Sequence, residues 1–116
     1  MWQTNCLALV MFEDALKHAA ELDEHLERTG KTVGPLHGLP ISVKEHVLLK
    51  GTPSTVGFIA WADDIAEEDS LVVKILRAAG AVFHVKTTNP QALMVRSHFL
   101  ALAGVSFELR ILFYRQ

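Results

Sequence analysis

The segment Gly34–Gly51 reads GPLHGLPISVKEHVLLKG, and it decides how the rest of the chain is interpreted. Two prolines and three glycines surround the mostly apolar run Ile41–Val43. This pattern predicts loops on either side of a buried strand. Lys44 stands at the end of that strand, where a lysine either extends into solvent or serves as a desolvated amine with a chemical role. The run Val47–Leu49 either continues the strand or begins a second one.

A helix is predicted before this segment. Apolar residues recur at helical spacing between Glu13 and Arg28, acidic residues occupy the first turn, and Gly30 is a natural stop. The preceding run Asn5–Met11 fits either a strand or an extension of the helix, because periodicity does not separate the two in a short apolar run. The apolar stripe of the helix consists of Ala15, Ala19, Leu22 and Leu26.

A second helix and a further strand are predicted after the segment. Asp69 or Ser70 is suited to an N-cap, and Gly80 falls where a glycine commonly ends a helix. The run Ala81–Lys86, AVFHVK, is rich in β-branched and aromatic residues and indicates a strand. The order strand, helix, strand favours parallel pairing in an α/β layer architecture. The helical stripe is formed by Leu71, Val72, Ile75, Leu76 and Ala79.

Size and composition narrow the class of protein. The 116 residues suffice for one domain at most, and 50% of them are hydrophobic. A net charge of −2 gives no broad electrostatic reason to expect binding to nucleic acid or to an anionic membrane. No apolar run is long enough for a spanning helix. The single cysteine, Cys6, and the absence of a basic n-region lead us to expect a cytoplasmic protein.

The sequence changes character after Met94. The tail contains three arginines but one glutamate, and its odd positions from Val105 to Phe113 are all apolar. This alternation is typical of a half-buried strand. We interpret the tail as an exposed, aggregation-prone strand that allows self-association, rather than as a nucleic-acid site.

Three ordered blocks resemble the amidase signature family. They read GPLHGLPISVKEH, GTPSTVGF and EEDSLVVKILRAAGAVFHVKTTNP, and they follow the family in order and spacing from Gly34 to Pro90. Weaker similarity extends back to Asn5, and the fungal acetamidase-like branch is the most similar. We therefore expect residues 5–94 to form a partial amidase domain and residues 95–116 to be a divergent hydrophobic tail.

The resemblance implies a role for Lys44. Enzymes of this family cleave carboxamides with a Ser-Ser-Lys triad, in which the lysine of the first block is the base. One serine lies in a Gly-Gly-Ser-Ser-Gly segment and relays the proton, and the nucleophilic serine follows in another glycine-rich loop. A lysine accepts a proton only when it is neutral, and burial favours that form. The implied substrate is a small-molecule amide, and no cofactor is expected.

The chain also departs from the family pattern. Glu45 replaces the usual aspartate and His46 a frequent asparagine, and we expect the fold to tolerate both changes. Val85 replaces a common glycine, and Thr88 replaces a frequent asparagine. The Gly-Gly-Ser-Ser-Gly segment does not occur in the 116 residues. The implied fold is α/β, a partial α/β/α sandwich with two main helices, two to four strands and an incomplete sheet. Uncovered sheet edges and apolar faces predict marginal stability.

Other candidate residues have simpler explanations. The hydroxyls of Ser42, Ser54 and Ser70 lie in no G-x-S-x-G elbow, so none of them is expected to be a nucleophile. We expect a turn role for Ser54 and a cap role for Ser70. The six histidines show no zinc-like spacing, so no metal site is predicted. The acidic run Asp63–Asp69 is interpreted as a solvated connection that favours the start of the next helix, not as a cation site.

Three hypotheses about function remain open. The first is a truncated amidase-family chain, inactive alone because both catalytic serines are absent, whose parent enzyme hydrolyses the C–N bond of linear carboxamides. The second is a non-catalytic interaction or regulatory fragment that pairs with an intact family member. The third is that a defective transcript or gene model leaves no folded function, which is compatible with the first.

A different parent enzyme is also considered. The glutamine-hydrolysing subunit of a tRNA-dependent amidotransferase shares the same blocks and would require partner subunits. The strings PSTVGF and KTTNPQ favour a stand-alone amidase.

Overall fold

The computed structural model describes residues 6–94, and they form a three-stranded sheet with two helices. Strand β2 pairs with β3 in parallel, β1 pairs with β3 antiparallel, and the strand order is β1-β3-β2. This arrangement confirms the predicted α/β class with two main helices and two to four strands. The elements are β1 (Leu7–Val10), α1 (Phe12–Thr29), β2 (Pro40–Lys44), α2 (Leu71–Ala78) and β3 (Val82–Thr87), with short 3₁₀ turns at Ile59–Trp61 and Gln91–Leu93.

The two helices lie on opposite faces of the sheet. Val82 and Phe83 are neighbours in β3 and therefore point to opposite sides. Val82 packs with Ala15 and Leu22 of α1. Phe83 packs in a separate cluster with Val73 of α2. The described residues thus form part of an α/β/α sandwich, as expected.

The strand predicted at Ile41–Lys44 is confirmed as β2, but the expectation that it is buried is wrong. Strand β2 alternates between exposed and half-buried residues, whereas four of the six residues of β3 are buried. The reason is strand order, because β3 occupies the centre and β2 an edge of the described sheet. The run Val47–Leu49 forms no strand; the amide of Val47 turns back to the carbonyl of Lys44 at 3.0 Å.

The uncertain run before α1 is a strand. Residues Leu7–Val10 pair with β3, and one extra residue, Ala8, interrupts the register between Leu7 and Leu9. Pairing with a neighbouring strand, which local periodicity does not reveal, decides this assignment.

Gly80 ends α2 as predicted, and the loop before β2 packs closely against it. The amide of Ala81 donates to the carbonyl of Leu76 at 3.0 Å and that of Gly80 to Arg77 at 2.8 Å, which is a Schellman motif. Gly80 has φ +95°, and a Cβ there would lie 2.7 Å from the Cα of His37. The glycine is therefore required both for its backbone angle and for the close approach of the loop before β2.

The predicted cap of α2 is confirmed in position but not in contact. Ser70 occupies the N-cap with extended backbone angles, and its hydroxyl makes no cap hydrogen bond. Asp69 instead holds the entry to the helix, since its carboxylate accepts from the amide of Lys50 at 2.7 Å and from Nε of Arg77 at 2.9 Å.

A bulge in β3 sets the direction of its last residues. The pairing passes from Ile41–Phe83 directly to Ser42–Val85, so that His84 is an extra residue on β3. A bulge of this kind shifts the alternation of side chains by one position. Lys86 consequently shares a face with Phe83 instead of with His84.

No helix among residues 6–94 is long and apolar enough to cross a membrane. The apolar tail after Met94, with its predicted strand and its predicted role in self-association, lies outside the described residues.

Candidate active site

Lys44 lies at the carboxyl end of β2 with its side chain exposed. Its Nζ donates a hydrogen bond to the backbone carbonyl of Thr88 at 3.1 Å. Thr88 directly follows β3, so the amine bridges the carboxyl ends of two parallel strands. In open α/β sheets this edge is where ligands commonly bind. Lys44 is thus accessible and anchored, but it is not desolvated by the described residues.

The next residue, Glu45, is buried with 4% of its surface exposed. Its carboxylate accepts hydrogen bonds from the amides of Thr55 and Val56 and from Nδ2 of Asn89, the last two at 3.1 and 2.9 Å. Val56 adopts φ +52°, which is unfavourable for a β-branched residue. Glu45 therefore holds a strained turn of the GTPSTVG segment against the end of β2.

Asn89 joins the residues that follow Lys44 to the residues that follow β3. Besides its bond to Glu45, its Oδ1 lies 3.1 Å from Nδ1 of His46. Asn89 is itself buried. Both replacements noted in the sequence, Glu45 and His46, thus share one partner.

A second lysine, Lys86, lies fully buried in the central strand. Its Nζ donates to the carbonyl of Pro53 at 2.7 Å and to Oγ1 of Thr52 at 3.2 Å. Burial lowers the pKa of Lys86 from 10.5 to about 8, and the nearby carboxylate of Glu45 acts in the opposite direction. Lys86 and Glu45 therefore both hold the GTPSTVG segment.

The sequence did not single out Lys86. It appeared only as the end of a β-branched strand, and lysine at a strand end usually reaches solvent. The signal that could have identified it is its place in a strand flanked on both sides by other strands. The bulge at His84 turns the Lys86 side chain inward, and nothing in the composition of the strand indicates that bulge.

The three serines considered as nucleophiles do not meet Lys44. Ser42 is exposed on β2, and the hydroxyl of Ser54 donates to the carbonyl of His46 at 3.0 Å. The Oγ of Ser70 is buried without a hydrogen-bond partner in the described part of the chain. Ser54 bonds a backbone carbonyl within a loop and Ser70 occupies the N-cap position of α2, as predicted.

A residue of the acidic run and one of the histidines contact neighbouring charged side chains. Glu68 pairs with Lys74 at 2.6 Å, and this neighbour lowers the pKa of the Glu68 carboxyl. Nδ1 of His18 lies 3.5 Å from the carboxylate of Glu21. Within residues 6–94, no group of three or more His, Cys, Asp or Glu side chains is placed to hold a metal ion.

Comparison with known proteins agrees with this geometry. The family model described as amidase matches residues 2–104. A putative amidase of Schizosaccharomyces pombe is 49% identical over 102 residues, covering 88% of this chain and 19% of its own length. An acetamidase of Emericella nidulans is 48% identical over 92 residues, covering 79% of this chain and 17% of its own length.

Solved structures give the same result. A fatty acid amide hydrolase superposes with a TM-score of 0.76 at 41% identity, covering 78% of this chain and 16% of that protein. A peptide amidase from Stenotrophomonas maltophilia superposes with a TM-score of 0.66 at 33% identity, over 76% of this chain and 18% of its own. The 116 residues thus span less than a fifth of the length of these relatives. The family match and the shared fold establish that the chain belongs to the amidase family.

Proposed function

We propose that this chain carries the lysine-bearing part of an amidase that hydrolyses linear carboxamides by acyl transfer to serine, with Lys44 as the base. The observation that supports this most is the placement of the Lys44 amine. It is exposed at the carboxyl edge of the sheet and anchored on the carbonyl of Thr88. The block GPLHGLPISVKEH, through which the chain resembles the family, contains this lysine.

The anchoring hydrogen bond suits a base. A neutral lysine has two N–H groups and one lone pair. When one N–H donates to the carbonyl of Thr88, the lone pair and the second N–H point away from that carbonyl. A relay serine placed there would give its hydroxyl proton to the amine while it takes the proton of the nucleophilic serine, whose oxygen attacks the amide carbon.

The same geometry indicates what the 116 residues do not supply. A neutral lysine requires desolvation, and Lys44 is exposed, so further protein must pack over this edge of the sheet. The Gly-Gly-Ser-Ser-Gly segment and the second glycine-rich loop are also missing from the sequence. We therefore propose that the chain alone turns over no amide.

A hybrid enzyme tests the proposal. The matching segment of the Emericella nidulans acetamidase is replaced by residues 6–94, and acetamide hydrolysis is measured. We expect activity in the hybrid, and Lys44→Ala should lower kcat/KM by about 10³-fold or more, as loss of a base in a triad does. The isolated 116-residue chain is assayed in parallel and should be inactive.

The matched control is Lys50→Ala. Lys50 is an exposed lysine six positions further along, and its replacement should leave kcat/KM within about twofold, as for surface substitutions away from special contacts. Full activity of the Lys44→Ala hybrid would refute the role of Lys44. Turnover by the isolated chain, abolished by Lys44→Ala, would refute its predicted inactivity.

The exposed face of α2 favours a second candidate, a non-catalytic interaction fragment. Leu71, Val72 and Ile75 are 73%, 54% and 58% exposed, although they form the predicted apolar stripe. Binding of the purified chain to an intact family amidase, lost on the triple change of these residues to serine, would support this candidate. Equal binding by the variant would exclude α2 as the contact.

A further inference from the structure

We propose that Asn89 is a positioning residue for Lys44, holding the carbonyl of Thr88 on which the lysine amine is anchored. The functional part of this inference rests on the proposed role of Lys44 as a base. The placement itself does not, because it follows from the contacts among the described residues.

The β2–β3 ladder ends beside Lys44. The amide of Glu45 donates to the carbonyl of Thr87 at 2.8 Å, and Lys44 is paired with Thr87 in the register. Beyond this point no ladder continues in the described residues, since both segments leave their strands. The carbonyl of Thr88, one residue further on, is therefore not fixed by β2 itself.

Side-chain contacts of Asn89 replace the missing ladder. Its amide group donates to the carboxylate of Glu45 at 2.9 Å, and its carbonyl oxygen lies 3.1 Å from Nδ1 of His46. Both partners directly follow Lys44 in the sequence. Asn89 thus connects the peptide plane that contains the carbonyl of Thr88 to the two residues after the lysine.

The groups on either side of the Asn89 contacts are themselves held by hydrogen bonds. Glu45, its main partner, is held by the amides of Thr55 and Val56. The amide of Thr88 also donates to the carbonyl of Cys6 at 2.9 Å, just before β1. Removal of the Asn89 side chain should therefore release one peptide plane without detaching the whole segment.

Asn89 and Lys86 hold different segments, although both are buried polar residues near Glu45. Lys86 contacts Thr52 and Pro53, which lie in the GTPSTVG segment and not beside Lys44. Loss of Lys86 should weaken the fold. Loss of Asn89 should change the surroundings of the Lys44 amine.

Competitive acetylation of the full 116-residue chain tests the placement without reference to catalysis. A trace of acetic anhydride is added, and the label on each lysine is quantified by peptide mass spectrometry. In Asn89→Ala, the labelling of Lys44 relative to exposed Lys50 should rise by about threefold or more, the size expected from losing one hydrogen bond of ordinary strength. Ser42→Ala, an exposed change on β2, should leave the ratio unchanged.

Lys86 serves as an internal control for folding. It is fully buried, so it stays unlabelled while the chain is folded. If Asn89→Ala exposes Lys86 to the reagent, the variant has unfolded, and Asn89→Ser, whose short hydroxyl does not span both Glu45 and His46, takes its place. An unchanged Lys44 ratio with Lys86 protected would overturn the proposal.

The hybrid enzyme then tests the consequence for catalysis. Asn89→Ala should lower kcat by about 10²-fold, as small misplacements of a catalytic group do, with a smaller change in KM. If Lys44→Ala leaves the hybrid active, the proposed function fails, while the acetylation ratio still decides whether Asn89 positions Lys44. If the ratio rises but kcat of Asn89→Ala is unchanged, the positioning role in catalysis is refuted.

Discussion

Two lysines one register step apart in adjacent strands have opposite surroundings. Lys44, at the end of edge strand β2, is exposed and makes one hydrogen bond to a backbone carbonyl. Lys86, in central strand β3, is fully buried and bonds two groups of the GTPSTVG segment. Strand position, not residue type, decides which of the two amines is accessible to a substrate. A buried and satisfied amine supports the fold, and an anchored, accessible one can act on a substrate.

The largest expected effect on stability comes from truncating the buried lysine. Lys86→Ala removes two hydrogen bonds and leaves a cavity, so the free energy of unfolding should fall by about 3 kcal/mol. Lys44→Ala should change it by less than about 0.5 kcal/mol, because the side chain is exposed. Urea unfolding of the 116-residue chain measures both. Equal losses in the two variants would remove the distinction between the lysines.

A smaller effect is expected from neutralising the buried carboxylate of Glu45. Glu45→Gln loses charge-assisted bonds to backbone amides and should cost about 2 kcal/mol. The pKa of Lys86 should also fall further below about 8, because the Glu45 carboxylate raises it. The pH dependence of the Lys86 ε-carbon chemical shift in NMR measures this pKa. The control variant is Glu24→Gln, a change at an exposed position. A rise in the pKa would contradict the assigned surroundings.

A dependence of stability on pH is the smallest effect when it is measured over a single pH unit. The pKa of Lys86 is about 8 in the folded chain and near its ordinary 10.5 when unfolded. Between these values the unfolded state binds more protons, so the free energy of unfolding should rise with pH, by at most about 1.4 kcal/mol per pH unit. Lys86→Met should lack this contribution. A wild-type curve parallel to that of Lys86→Met would show that Lys86 does not titrate in this window.

The sequence predicted much of the fold because the relevant signals are local. The stripe from Ala15 to Leu26 gave α1, and Gly80 gave the end of α2. The β-branched run ending at Lys86 gave β3. The resemblance carried by the first block supplied the family and the choice of Lys44, which no local pattern indicates.

The errors and omissions arise from non-local contacts. The exposure of β2 follows from its place at the sheet edge, which its own alternation of residues does not report. The burial of Glu45 depends on a turn ten residues away, and that of Lys86 depends on the bulge at His84. Marginal stability, the boundary of the tail at residue 95 and a cytoplasmic location stay predictions.

The hybrid acetamidase separates the roles of the two lysines in one experiment. Lys44→Met and Lys86→Met are made separately, and kcat and the melting temperature are measured for each. We expect Lys44→Met to lose about 10³-fold in kcat at an unchanged melting temperature. Lys86→Met should keep kcat within about tenfold and melt at a lower temperature. The reverse outcome, with activity lost in Lys86→Met and retained in Lys44→Met, would contradict the assignment of Lys44 as the base and of Lys86 as a residue that supports the fold.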